Sequence, residues 1–383
     1  MAGKTIVILG GGVGGLVAAN RLRRLLNREH RVVLVDRTPW HSFAPSFLWV
    51  MLGRTDPRRI TRDLRSLDRK GIEFRLAEIT SLDLANKKVR LEQEELSYDY
   101  LIVALGAQYS TQEIPGLAKA WTFYHLDGAE GLRDELPKLK AGRLAIVVSS
   151  LPYKCPAAPY EGALLLDYYF RHRGARADVE VRVFTPEPYP LPVAGEAVGQ
   201  AVVDILAGRE IWFSPGSRLK RVDHEAKMVE FEDGTDAPFD LLIATPVHKV
   251  PDVVRAAGLA KEGGWVSVDR ETLATQFEGV YAIGDVAAVP LAKGKMLPKA
   301  GVFAHGEAEV VARNIASEIA GGQPHWAFGG RGSCFLETGY GKAAYATGNF
   351  FAEPEPDVAL RQPSFLWHWA KIGFERMWLW RWF

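Results

Sequence analysis

"KTIVILGGGVGGLVAANRLRRLL", residues 4–26, followed by "HRVVLVDR", residues 30–37, is the stretch from which the fold is read. The stretch reads as an apolar strand, a glycine turn, a helix and a second apolar strand. Together they make one βαβ unit. Gly10, Gly12 and Gly15 stand in the G-x-G-x-x-G spacing, and Asp36 ends the second strand about 20 residues later. Each residue has a physical reason to be there. Gly10 permits the tight turn, Gly12 lets a pyrophosphate approach the backbone, Gly15 lets helix and strand close up, and Asp36 accepts hydrogen bonds from a ribose. A glycine-rich turn without a ligand is the plainer alternative, but the position after a strand, at the start of a helix and ahead of an acid favours dinucleotide binding.

Working outward, "EFRLAEITSLDLANKKVRL" (residues 73–91) alternates like short strands, and "YDYLIVALGA" (98–107) is an apolar strand ending at Ala104 and Gly106. "AGRLAIVVSS" (141–150) opens a second βαβ rhythm, completed by a helix over "YEGALLLDYYFRHRG" (160–174) and a strand in "DVEVRVFTPEP" (178–188). The loop of this unit, "SSLPYKCPAAPYEG" (149–162), contains no glycine until its end. Pro152, Pro156 and Pro159 stiffen it and remove backbone donors, so it would hold a pyrophosphate poorly. "FDLLIATPV" (239–247) signals a return to the first unit, "GVYAIGDVA" (279–287) a strand ending in Gly284-Asp285, and "KMLPKAGVFAH" (295–305) an extended lead into a long amphipathic helix. Short strands over residues 332–351, a Pro-rich linker over 352–363 and an aromatic tail follow. The expected fold is α/β, with two Rossmann-like units, the second lacking a phosphate fingerprint, and a C-terminal amphipathic membrane-binding helical region. The expected segments are 1–110 and 241–325 for the two parts of the first domain, 111–240 for the second domain carrying Cys155, and 326–383 for the C-terminal region with Cys334.

With 383 residues the chain can bury more than one core, and 47 basic against 46 acidic side chains leave a formal charge of +1. No chain-wide field favours nucleic acid, which excludes that class of partner. Two cysteines cannot build a disulfide framework, and without CxxC or Cys/His clusters no metal site is expected. The N-terminus passes from one lysine straight into a strand, so no export signal is expected.

"VILGGGVGG" (7–15), Asp36, "YDYLIVALGA" and "GVYAIGDVA" resemble the two-dinucleotide-binding-domain flavoproteins of the disulfide reductase superfamily over essentially the whole chain. The resemblance implies that the first unit holds FAD, with Ala104, Gly106, Gly284, Asp285, Lys299 and Gly301 joining Gly10, Gly12, Gly15 and Asp36 around it. A turn or helix-cap role is the alternative for Asp285. Cys155, Cys334 and "LPKAGVFAH" (297–305) narrow the likeness to sulfide:quinone oxidoreductases and to the related flavocytochrome c sulfide dehydrogenase flavoprotein. Two departures matter. Many quinone-linked members carry a third cysteine near "TFYHLDGAE" (122–130), where this chain has Tyr124 and His125. The cytochrome-linked relatives attach FAD through a cysteine soon after the first acidic strand end, and "TPWHSFAPSF" (38–47) has none, so the FAD is expected to be noncovalent.

From composition alone each cysteine is as well explained as a small buried hydrophobe. The resemblance makes Cys155 and Cys334 a redox pair that hydrosulfide opens, leaving a persulfide on one sulfur and a thiolate on the other; which cysteine carries which stays open. Both roles call for a lowered thiol pKa. Lys299 is implied to stabilise charge on the reduced flavin, against an exposed surface lysine; Glu161 to shuttle a proton, against simple matching of a helix dipole. Lys154 reads as solvated.

The tail "SFLWHWAKIGFERMWLWRWF" (364–383) holds five of the eleven tryptophans. On a helix His368, Lys371 and Glu375 share one narrow stripe and aromatics cover most of the rest, so the helix is either buried or against lipid. Too polar to span and rich in Trp beside Lys/Arg, it suits the bilayer interface. A helix buried between copies of the chain, in a homo-oligomer, is the alternative. The expectation is a peripheral, monotopic protein of the cytoplasmic membrane that oxidises sulfide to sulfane sulfur or polysulfide and reduces a membrane quinone. The competitors are a cytochrome-linked sulfide dehydrogenase, a type II NADH:quinone oxidoreductase, and a flavin-bearing scaffold protein.

Overall fold

The computed structural model describes residues 3–383; Met1 and Ala2, which begin the segment expected to carry no export signal, lie outside the described residues. Strand β1 (Thr5–Leu9) passes through the glycine turn into α1 (Val13–Leu25), and β2 (Arg31–Asp36), β3 (Glu73–Leu76) and β4 (Tyr100–Val103) follow. A second unit then runs β5 (Gly142–Val147), α2 (Ala158–His172), β6 (Val179–Phe184), β7 (Trp212–Ser214) and β8 (Leu241–Ala244). The chain comes back as β9 (Val280–Ala282), continues into α3 (Gly301–Ile319), and ends in β10 (Arg331–Gly339), β11 (Lys342–Asn349), β12 (Asp357–Ser364) and α4 (Phe365–Arg381).

Two parallel sheets result, in the orders β9-β4-β1-β2-β3 and β7-β6-β5-β8. Their central strands are continuous apolar runs because both faces are covered: Ile6 to Leu9 and Val32 to Val35 have no exposed surface. Beside them β10, β11 and β12 form an antiparallel sheet.

Three expectations need correction. The strand Leu241–Ala244 pairs with β5 in the second sheet, so the return to the first sheet begins after it and not at residue 241. Its apolar pattern matched the first unit's strand because any strand covered on both faces looks alike. Residues 357–363, expected as linker, belong to β12; Pro363 is tolerated because β12 is an edge strand. The strands expected to be short within 332–351 span nine and eight residues.

Helix α4 presents an inverted pattern. Its polar stripe points inward, and Trp378, Leu379 and Trp382 are buried with it. Outward it shows Leu366, Trp369 and Trp380, exposed by 66%, 64% and 81%. No helix among the described residues is long and apolar enough to cross a membrane.

Candidate active site

The glycine turn is built as its spacing demands. Gly10 has φ +102°, and a Cβ there would stand 2.4 Å from the Ala104 carbonyl oxygen; a Cβ on Gly15 would stand 1.9 Å from that of Gly10. These two positions need glycine for packing alone. Gly12 differs, since a Cβ on it meets nothing within 4 Å, and the same holds for Gly106. Both face open space at the C-terminal ends of parallel strands, where open α/β sheets bind ligands. Asp36 accepts the Gly11 N–H at 2.6 Å and the Thr38 N–H at 2.9 Å, bracing the loop. Burial pushes its carboxyl up, opposed by those two amides. Gly284 and Asp285 lie in a single turn following β9, and Gly301 opens α3. The open space at Gly12 and Gly106 leaves room for a dinucleotide against the glycine turn.

The cysteine loop meets the lead into α3. Cys155 N–H donates to the Lys299 carbonyl at 2.6 Å, and Cys155 itself has φ +49°, a strained conformation for a residue with a side chain. The loop is also tied to the second sheet. Tyr153 and Tyr160, on either side of Cys155, donate to one Glu187 carboxylate oxygen at 2.8 and 2.6 Å. Cys334, on β10, opens into the same cavity of about 440 Å³ that Cys155 and Lys299 line. Both cysteines are free thiols. The fold thus brings together two residues that sequence spacing could not show to meet.

The surroundings raise the thiols instead of lowering them, a correction to the sequence expectation. Although Cys334 as a residue keeps exposed surface, desolvation where its sulfur enters the cavity pushes the thiol up, with Glu161 acting in the same direction, while Lys371 pulls it down. Burial also pushes Cys155 well up, joined by Cys334 and Glu161 and opposed by Lys371 and Lys154.

Glu161 is neither a solvated helix-cap acid nor isolated. Its buried carboxylate accepts a hydrogen bond from the buried Lys371 ammonium at 2.5 Å, joining α2 to α4. Beside them His368 Nδ1 lies 2.9 Å from both carboxylate oxygens of the fully buried Glu337. Lys371 was visible only as part of the tail's polar stripe; its partner could not be read from that stripe. Lys299 is buried rather than exposed. Its ammonium donates to the Asp285 and Ala287 carbonyls at 2.6 and 3.2 Å and lies 3.5 Å from the Trp265 ring centroid. Burial brings its pKa down to about 8. Lys154, expected to be solvated, is half-buried over the Tyr109 ring at 4.8 Å.

Sequence reading missed two acids. Glu307, two turns into α3, accepts the Gly284 N–H at 2.6 Å, and burial pushes its carboxyl up to about 7. Glu187 holds the cysteine loop as described above. Neither lies in a motif; a glutamate inside a helix and another after a strand carry no local signal.

A family profile described as "Pyridine nucleotide-disulphide oxidoreductase" matches residues 4–308. Among curated proteins, the chain is 27% identical to the sulfide-quinone reductase of Aquifex aeolicus, over 99% of this chain and 91% of that one. It is also 27% identical to the mitochondrial sulfide:quinone oxidoreductase of Mus musculus, over 91% of this chain and 79% of that one. The X-ray structure of the Aquifex aeolicus sulfide:quinone oxidoreductase superposes with a TM-score of 0.90 at 25% identity, covering 99% of this chain and 91% of that chain. The resemblance found in the sequence motifs is borne out.

Proposed function

The chain belongs to the pyridine nucleotide-disulphide oxidoreductase family, and from that premise we propose that it is an FAD-dependent sulfide:quinone oxidoreductase. The observation that carries the reading is the meeting of Cys155 and Cys334 in one cavity beside Lys299, with Cys155 in the loop where a nicotinamide cofactor's pyrophosphate would otherwise be held.

FAD, held noncovalently by Gly10, Gly12, Gly15, Asp36, Ala104, Gly106, Gly284, Asp285, Lys299 and Gly301, would supply a two-electron acceptor next to the thiols. In the oxidised enzyme the two cysteines are joined by a disulfide. Hydrosulfide reaches Cys334, the more accessible of the two: a bond forms between sulfide and the Cys334 sulfur, the bond to Cys155 breaks, and Cys155 leaves as a thiolate. The Glu161–Lys371 pair keeps a charged acid and base beside both sulfurs and takes up the hydrosulfide proton at a Glu161 oxygen. When an acceptor takes the outer sulfur of the Cys334 persulfide, the Cys334 thiolate closes on the Cys155 sulfur, and the electron pair given up in that closure is the pair that bound FAD would accept and a quinone would take. Sulfane sulfur departs to an acceptor as the disulfide re-forms.

The exposed face of α4 rests on lipid as a monotopic anchor. Its inward polar stripe and outward tryptophans are the reverse of a helix facing water, and they suit the interface, where Trp is favoured. The ring of Phe374 on α4 lies against Phe43, Phe335 and Trp378, giving a quinone an apolar route from the bilayer.

The deciding experiment is an anaerobic flavin absorbance trace of the purified protein mixed with sulfide and, separately, with NADH. Sulfide bleaches the flavin and NADH does not; the reverse result would favour a type II NADH:quinone oxidoreductase. In Cys155→Ser and Cys334→Ser, sulfide-dependent bleaching falls by roughly a thousandfold or more, as the loss of a catalytic nucleophile does. Turnover that survives either change would leave the flavin-bearing scaffold reading standing.

A further inference from the structure

Alongside α4 lies a second cleft, of about 910 Å³, that the sulfide chemistry does not use. Arg54, Arg59, Arg62, Arg69 and Arg376 line it, and Trp380 forms part of its wall. Among the described residues none of these five guanidiniums has a carboxylate within ion-pair distance. The neighbouring acids are engaged elsewhere. Asp56 is paired with Arg58 at 2.7 Å, Asp63 with Arg65 at 2.8 Å, and Glu375 accepts the Ser46 hydroxyl. Three of these arginines are held in place by other contacts. Arg62 Nη1 donates to the Arg59 and Thr61 carbonyls at 3.0 and 2.9 Å, Arg69 Nε to the Ser66 carbonyl at 3.3 Å, and the Arg54 guanidinium lies 4.6 Å from the Tyr168 ring centroid.

In a chain with a formal charge of +1, this is a strong local segregation: residues 54–70 carry six arginines and one lysine against three aspartates. Guanidinium forks match phosphate oxygens in pairs. The cleft is also continuous with the exposed aromatic face, because Arg376 and Trp380 are one turn apart on the same helix. A helix lying in the interface with Trp380 among acyl chains would carry Arg376 at headgroup level, with the other four arginines across the cleft.

We propose that this cleft binds the phosphate of an anionic phospholipid headgroup and so gives the docked protein a preference for negatively charged bilayers. The proposal rests on the membrane reading of α4 given above, and the experiment separates the two. The flavin-loaded protein is floated with vesicles of phosphatidylcholine alone and with vesicles in which phosphatidylglycerol replaces part of the phosphatidylcholine. The expected result is binding to both, about tenfold or more tighter to the anionic vesicles at low salt, with the difference shrinking as salt rises. The triple substitution Arg59→Gln, Arg62→Gln, Arg69→Gln abolishes the preference while leaving binding to neutral vesicles and bleaching by sulfide unchanged. The corresponding Lys substitutions, which keep the charge but lose the paired donors, keep only part of the preference.

Equal binding of the unmodified protein to the two vesicle types overturns the headgroup proposal alone, as does a preference that survives the Gln substitutions. Binding to neither overturns the membrane reading and the proposal with it. Inorganic phosphate, matched to chloride in ionic strength, displaces the protein from anionic vesicles no better than chloride does. Stronger displacement by phosphate would make the cleft a site for free anions and overturn the lipid assignment.

Discussion

Lys371 and Glu161 carry opposite charges where water scarcely reaches, and they push both thiols in opposite directions. Such a pair persists in a dry interior only with good geometry, and removing one partner leaves a buried charge. Because Glu161 raises the Cys334 thiol and Lys371 lowers it, Glu161→Gln moves the thiol's titration to lower pH. In the reduced protein, alkylation of Cys334 by iodoacetamide keeps climbing beyond pH 9, where an ordinary thiol levels off, because only the thiolate reacts and its surroundings, desolvation first and then Glu161, hold the thiol up. In Glu161→Gln the rate at pH 8 is higher than in the unmodified protein. A plateau near 9 in both proteins would contradict the placement of these charges. The glycines separate just as cleanly. Gly12 faces open space, so Gly12→Val leaves a folded protein that has lost its flavin, measured by absorbance of the purified chain together with circular dichroism. Gly15→Ala has no room against the Gly10 carbonyl, so it lowers thermal stability as well as flavin content.

Helix α4 serves both sides of the molecule. Its inner face is core: Trp378 Nε1 is 3.4 Å from His41 Nε2, His41 Nδ1 is 2.9 Å from the Gly11 carbonyl, and Asn20 donates to the Trp382 carbonyl at 3.3 Å. The tail therefore braces the glycine turn from behind. Deleting residues 364–383 would strip a buried face as well as an anchor, so point substitutions are the informative test. Trp369→Gln with Trp380→Gln lowers vesicle binding roughly tenfold or more and leaves flavin content and sulfide bleaching intact. Trp378→Ala, on the inner face, costs about 3–5 kcal/mol in denaturant unfolding and loosens the flavin. If the outer pair destabilised the fold as much as the inner residue, the two faces would be wrongly assigned.

At the scale of the whole molecule, the cysteines come from different layers, Cys155 from the loop after β5 and Cys334 from the C-terminal sheet. The disulfide proposed for the oxidised enzyme would tie the second unit to that sheet. Peptide mapping under non-reducing conditions recovers a fragment joining Cys155 to Cys334, lost on adding sulfide. The oxidised protein also outlasts the dithiothreitol-reduced one in denaturant by about 2–4 kcal/mol, as closure of a long loop does. Much of this was legible in the residues. The glycine spacing, Asp36 and the apolar runs dictated the first βαβ unit because turn geometry and burial on both faces are local demands. The proline-stiffened loop excluded a second phosphate cradle for an equally local reason, the missing donors. The stripe of His368, Lys371 and Glu375 was visible as well, but not that it turns inward, since a helix pattern gives the faces and leaves open which one meets the core. Only the tertiary structure decided that Cys155 and Cys334 share a cavity, that Glu161 is neutralised by a lysine from the last helix, and that five arginines from two segments converge beside Trp380. Those are contacts between residues far apart in the chain, and a side chain's partner, burial and pKa depend on what folding brings beside it, not on its neighbours in sequence.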